Sequence, residues 1–108
     1  MHSETAIRAL GALAQEHRLA AFRLLVEAGP TGLAAGVLAE RLTIAPSSLS
    51  FHLAQLANAG LVAQVRQGRS IIYTADFAAM GALVGYLTEN CCQGESCAPA
   101  ADAERNVA

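Results

Sequence analysis

Three cysteines, Cys91, Cys92 and Cys97, gather near the C-terminus in the stretch Glu89-Asn90-Cys91-Cys92-Gln93-Gly94-Glu95-Ser96-Cys97. Thiolates are soft ligands and select thiophilic ions over Mg, Ca or Mn. Zinc completes a tetrahedron and needs a fourth donor beyond these three. Neighbouring helix residues project about 100° apart, so Cys91 and Cys92 cannot both face one ion from a regular turn. A helix reaching them must end or unwind there. Gly94 permits the reversal that returns Cys97 towards the pair, so the expected site lies within one chain and closes when the tail folds over the ion. An odd, clustered set of thiols does not make a secreted disulfide framework, and in a reducing compartment it persists as thiols. The alternative chemistry for the same residues is oxidation to a disulfide.

A second set of residues suits contact with nucleic acid. Pro46 to Val62 reads as a helix with Leu49, Leu53, Leu56 and Ala57 on an apolar stripe. Its other face carries Ser47, Ser48, Ser50, Gln55 and Asn58, short uncharged groups suited to base edges and phosphates. Pro46 fits the first helical position, and Gly60 tolerates the left-handed conformation that ends the helix. The net charge of −2 does not itself suggest such a partner, but the distribution does. From Arg41 to Ala75 there is no Asp or Glu, while Arg41, His52, Arg66 and Arg69 all fall in that window.

The elements that must position these groups follow from periodicity. Thr5 to Ala14 predicts a first helix with Ile7, Leu10 and Leu13 on one stripe. His17 to Ala28 predicts a second, with Leu19, Phe22, Leu25 and Val26 inward and Arg18, Arg23 and Glu27 outward. Gly29-Pro30-Thr31-Gly32 breaks the chain, and Leu33 to Leu42 resumes as a short helix with Val37, Leu38 and Leu42 inside. After Gly60 the period becomes alternating: Val62 to Arg66 and Ser70 to Thr74 read as strands joined by Gln67-Gly68-Arg69. Helix, turn, helix and hairpin in that order predict a winged helix-turn-helix. The fold class is mostly α, about five helices with a two-stranded wing, in one domain of 108 residues. A hydrophobic content of 54% excludes a disordered chain. The apolar run Phe77 to Leu87 is too short to span a bilayer, and no basic region precedes an apolar run at the start, so a cytoplasmic protein is expected. A thiol enzyme is not expected, because thiols after a helix C-terminus meet a dipole that disfavours the thiolate.

Ser50-x-His52-Leu53-x-x-Leu56-x-x-Ala59-Gly60-Leu61-Val62, followed by Arg66-x-Gly68-Arg69-x-x-x-Tyr73 and preceded by Leu13-Ala14-x-x-x-Arg18-Leu19, resembles the ArsR/SmtB metalloregulatory repressors. The resemblance implies a homodimer joined by the first and last helices, repressing its operon on double-stranded operator DNA until an inducer binds. It implies DNA contacts from Ser47, Ser48, Ser50, His52, Gln55, Arg66, Arg69 and Tyr73, with two reading helices about 34 Å apart on an inverted repeat. Two departures stand out: Ala45 replaces the frequent N-cap Ser, so capping must come from elsewhere, and Phe51 replaces a frequently basic residue, which could set its ring against the wing. The family's thiol-bearing third helix is absent, since Leu33 to Leu42 holds no Cys. The last stretch instead resembles the arsenic-sensing members, implying As(III), and also Sb(III) or trivalent organoarsenicals, held by Cys91, Cys92 and Cys97; such ions take three sulfurs in a pyramid. The same thiols leave open Cd, Hg, Cu(I), Zn or an oxidant. His2 and His17 are weak ligand candidates, and the last helix lacks the His and Asp pairs of zinc-sensing members. Residues 1–90 are expected to form the DNA-binding and dimerisation domain, and 91–108 the inducer segment and tail.

Overall fold

The computed structural model describes residues 1–94 of the chain. Five α-helices and three short strands form the unit: α1 (Ser3–Leu13), α2 (Glu16–Ala28), β1 (Leu33–Ala34), α3 (Ala35–Leu42), α4 (Pro46–Asn58), β2 (Val62–Gln67), β3 (Ser70–Ala75) and α5 (Phe77–Thr88). A single turn of 3-10 helix lies at Gly29–Thr31, and the chain at Cys91–Gly94 makes a tight turn in which Cys92 and Gln93 are left-handed. This is the winged helix-turn-helix that the element order predicts, with one addition. The expected two-stranded wing is a three-stranded antiparallel sheet in the order β1-β3-β2.

The extra strand occupies Leu33 and Ala34, where a helix start was expected; the helix begins only at Ala35. Leu33 pairs with Tyr73 and Ala34 with Ile72. The approach needs a residue without a side chain just before it. Gly32 has φ +70°, and a Cβ there would collide with the Tyr73 carbonyl and lie 2.7 Å from Thr74 Cγ2. At the far end of the sheet, Gln67 pairs with Ser70 across a two-residue turn, Gly68-Arg69, with Gly68 at φ +62°. Glycine at the first position of such a loop matches the twist of the flanking strands.

Helix ends follow local chemistry. Gln15 caps α2 by accepting from the Arg18 amide at 3.0 Å, and Asp76 caps α5 by accepting from the Ala79 amide at 2.9 Å. Gly60, at φ +78°, ends α4 as expected: its amide donates to the Ala57 carbonyl at 2.9 Å and the Leu61 amide to Leu56 at 3.0 Å. Thr43 ends α3 in the left-handed region at φ 56°. A β-branched residue is uncommon there.

The core is built from Leu25, Leu38, Leu49, Leu53, Leu56 and Leu61, all fully buried. Several predicted inward positions are not. On α1 the buried residues are Ala6 and Ala9, while Ile7 is 68% exposed and Leu10 41%. Leu19, Val37 and Ala57 are exposed too, and Ala21, Ala39 and half-buried Ala59 take the inward places. Small alanines hold the inward positions on these helices, which leaves the larger side chains beside them facing outward. On α5 only Leu83 is buried, and Val84 and Leu87 face out. No helix among the described residues is long and apolar enough to cross a membrane.

Candidate nucleic-acid interface and thiol segment

α4 presents its polar face as the sequence predicts: Ser47, Ser48, Ser50 and Asn58 are exposed, and Gln55 is half-buried. Capping does not come from another side chain. Ala45 is the N-cap, no side chain bonds the first turn, and the first intrahelical bond runs from the Leu49 amide to the Ala45 carbonyl at 3.0 Å. Pro46 has no N–H, so the first-turn amides of Ser47 and Ser48 meet solvent at the positive end of the helix dipole. An anionic oxygen suits that end.

His52 sits at the flank of this face, half-buried against the corner between α1 and α2. Arg18 Nε donates to the Ala12 carbonyl at 2.6 Å, and Arg18 Nη1 lies 3.3 Å from His52 Nδ1. A guanidinium only donates, so Nδ1 is the acceptor and the neutral imidazole carries its hydrogen on Nε2. The ring of His17 lies 5.5 Å from that of His52, and Gln15 Nε2 is 3.4 Å from His17 Nδ1. Burial first, then the charge of Arg18 and the nearby His17, push the His52 pKa below its ordinary 6.5. Arg18, read from sequence as an outward residue, therefore ties the α1–α2 corner to α4. No local pattern could show this, since its partner lies far along the chain. Beside it, Arg8, Arg18, Gln55 and Asn58 line a groove of about 420 Å³.

Arg66, near the end of β2, and Arg69, in the tip turn, are exposed and free to meet a phosphate backbone. Tyr73 lies elsewhere: it is half-buried in the central strand, between Leu33 and Gln64, and packs on the core. Phe51 is 60% exposed, and its ring lies edge-on to His52 at 5.7 Å on the same helix rather than being packed against the wing.

α5 ends at Thr88, before the first thiol, so neither cysteine lies in a regular helix. Asn90, Cys92 and Gln93 all take left-handed conformations, at φ 60°, 57° and 58°, and Gly94 follows at φ 90°. Cys91 and Cys92 are exposed. Cys97 lies outside the described residues, and among those residues no group of three or more His, Cys, Asp or Glu could hold a metal ion. A separate apolar groove of about 340 Å³ runs between α1, α2 and α5, lined by residues including Leu13, Leu19, Met80 and Val84.

Known proteins share this arrangement. A helix-turn-helix domain family model matches residues 13–65. The transcriptional activator HlyU of Vibrio cholerae is 33% identical over 92 residues, spanning 85% of this chain and 82% of HlyU. Among solved structures, an ArsR-like transcriptional regulator from Rhodococcus sp. RHA1 covers 98% of this chain and 94% of its own, with 25% identity and a TM-score of 0.73. The chain belongs to the ArsR family of winged helix-turn-helix transcriptional regulators. HlyU has also been solved in a reduced form, which is 32% identical and matches 83% of this chain and 92% of its own, with a TM-score of 0.67. A homodimeric winged helix-turn-helix DNA-binding domain from Mycobacterium bovis, a possible ArsR-family regulator, is 25% identical and covers 87% of each chain, with a TM-score of 0.64. As an ArsR-family regulator the chain is a DNA-binding protein and not an enzyme.

Proposed function

We propose that this ArsR-family regulator is an arsenic(III)-responsive repressor that acts in the cytoplasm as a homodimer and leaves its operator when As(III) binds Cys91, Cys92 and Cys97. The observation that carries the reading is the thiol segment itself. α5 stops at Thr88, so Cys91 and Cys92 lie exposed beyond the regular helix, with Asn90, Cys92 and Gln93 in left-handed conformations, which supports a site built outside the helix. Three thiolates suit As(III) or Sb(III), whereas zinc would need a fourth ligand. The homodimer is supported by the exposed apolar faces of α1 and α5 and by the homodimeric Mycobacterium bovis relative. In it, α4 of each protomer enters the major groove, with Ser47, Ser48, Ser50, His52 and Gln55 at bases and phosphates, and Arg66 and Arg69 bring the wing to the backbone.

The test is fluorescence anisotropy of the reduced protein on DNA from upstream of its own gene, titrated with arsenite, for wild type and Cys91→Ser, Cys92→Ser and Cys97→Ser. Release of the wild type near stoichiometry, with each variant staying bound, is the expected result. Arsenite without effect on a bound wild type would refute the inducer.

A second reading, an oxidant switch through the same thiols, is favoured by one specific observation: HlyU has been solved in a form distinguished as reduced. Peroxide without arsenite separates the two, since only the oxidant switch predicts release. HlyU is named an activator, so the sign of regulation is tested apart, by a reporter that rises when the gene of a repressor is deleted.

A further inference from the structure

Phe51 is the one large apolar side chain on the solvent face of α4. At about 100° per residue, Ser47, Phe51, Ala54 and Asn58 share a single stripe, opposite buried Leu49, Leu53 and Leu56. All four residues of the stripe are exposed, and Phe51 keeps 60% of its surface open. A phenyl ring there does not serve the core. Its ring is steadied from the flank by His52, edge-on at 5.7 Å with an interplanar angle of 66°, and His52 is itself held by Arg18. The stripe therefore sets an apolar pair, Phe51 and Ala54, between two hydrogen-bonding side chains, Ser47 and Asn58.

The major groove offers one apolar group to such a pair. The other base edges there carry donors and acceptors, with no more than a C5–H on cytosine, and only thymine adds a methyl group at C5. We infer that Phe51, with Ala54 beside it, is a specificity-determining residue that recognises a thymine C5-methyl group in the operator half-site. Resting on the reading of α4 as the DNA-reading helix, this assigns a thymine to the middle of the segment that α4 covers, with hydrogen-bonded positions on either side. It also gives a function to the position where basic chemistry is missing: Phe51 supplies discrimination between bases rather than attraction to phosphate.

The experiment compares two labelled fragments of identical sequence from upstream of the gene, one synthesised with thymine and the other with uracil, which lacks only the methyl group. Removing one methyl contact from an apolar surface lowers affinity about fourfold. Wild-type protein is expected to bind the thymine fragment at least that much more tightly. Phe51→Ser should bind both fragments alike, and Phe51→Leu should keep most of the preference. Phe51 is largely exposed, so neither variant removes core packing. Equal binding of the two fragments by wild type, or an undiminished thymine preference in Phe51→Ser, overturns the inference. Failure of wild type to bind the thymine fragment at all would overturn the DNA-reading role of α4 itself, a different outcome from binding without discrimination.

Discussion

Two glycines in one loop separate backbone strain from the steric demand of the third strand. Gly29 has φ 77° and ψ −163°, and Gly32 has φ 70° and ψ −169°, a region nearly closed to other residues. Alanine at either position carries about 1–3 kcal/mol of backbone cost from that region. The surroundings differ. A Cβ on Gly29 meets nothing within 4 Å, whereas one on Gly32 would drive into the Tyr73 carbonyl and Thr74 Cγ2. The backbone of β3 cannot yield cheaply, because Tyr73 is also paired with Gln64 on the other side. β1 must then lift away, and its pairing of Leu33 and Ala34 is lost. Two backbone hydrogen bonds at about 1 kcal/mol each put the extra cost of Gly32→Ala near 2 kcal/mol. Urea denaturation of wild type, Gly29→Ala and Gly32→Ala measures both terms: Gly29→Ala should lower stability by the strain alone and Gly32→Ala by about 2 kcal/mol more. Because β3 carries the wing, Gly32→Ala should also weaken DNA binding where Gly29→Ala does not. Equal losses in the two variants would show that β1 does not depend on this close approach.

Acidification should act through His52. Its folded-state pKa lies below the ordinary 6.5, so the unfolded chain takes up the proton first. The neutral ring's contribution is therefore whole above pH 6.5 and is lost as pH falls from there through the lowered folded value. Thermal melts across that range should show a fall in wild type that is reduced in His52→Gln; an identical pH dependence would remove His52 as the cause. At the proposed dimer face, Val84→Glu should leave the protomer folded, because Val84 is 56% exposed within it, and should halve the mass measured by light scattering. An unchanged mass would place the interface elsewhere.

Much of this fold was legible in the sequence, for stated physical reasons. The three- and four-residue spacing of Leu49, Leu53 and Leu56 identified α4 and its inward face, and all three are buried. The change to alternation after Gly60 identified the hairpin. Periodicity was weaker where an apolar stripe has two candidate destinations. Ile7 and Leu10 form a genuine stripe on α1, yet alanines occupy the protomer core and the large residues face out. A hydrophobic repeat does not distinguish a protomer's own core from a surface that a second copy would cover. β1 leaves no signature in the sequence because two residues are too few to display a period, and the informative residue is Gly32, whose need for φ +70° only the third dimension reveals. Among the candidate site residues, the exposure of Ser47, Ser48, Ser50, Arg66 and Arg69 follows from composition and placement. Arg18 did not, because a charged residue on a helix reads as solvated unless its distant partner is known.

These contacts also suggest how a ligand at the end of α5 could reach α4 under the proposed function. α5 is lightly held by its own protomer: Leu83 is its one buried residue, while Met80 and Tyr86 pack on the core only in part. A helix anchored so sparsely can shift along the apolar groove it shares with α1 and α2 while displacing a single core side chain, Leu83. The α1–α2 corner that borders this groove supplies the Ala12 carbonyl and the Arg18 guanidinium, and Arg18 holds His52 on α4. Pulling the chain after Thr88 into a three-sulfur site would act on the least anchored helix, and the Arg18 bridge is a fixed link from its neighbours to the reading head. The coupling must run both ways. Whatever free energy the inducer spends in weakening DNA binding, typically about 1–3 kcal/mol, DNA spends equally in weakening the inducer. In the proposed homodimer the partner covers the exposed face of α5, so a shift of α5 within its own protomer costs one core position and is felt directly at the interface between the two reading heads.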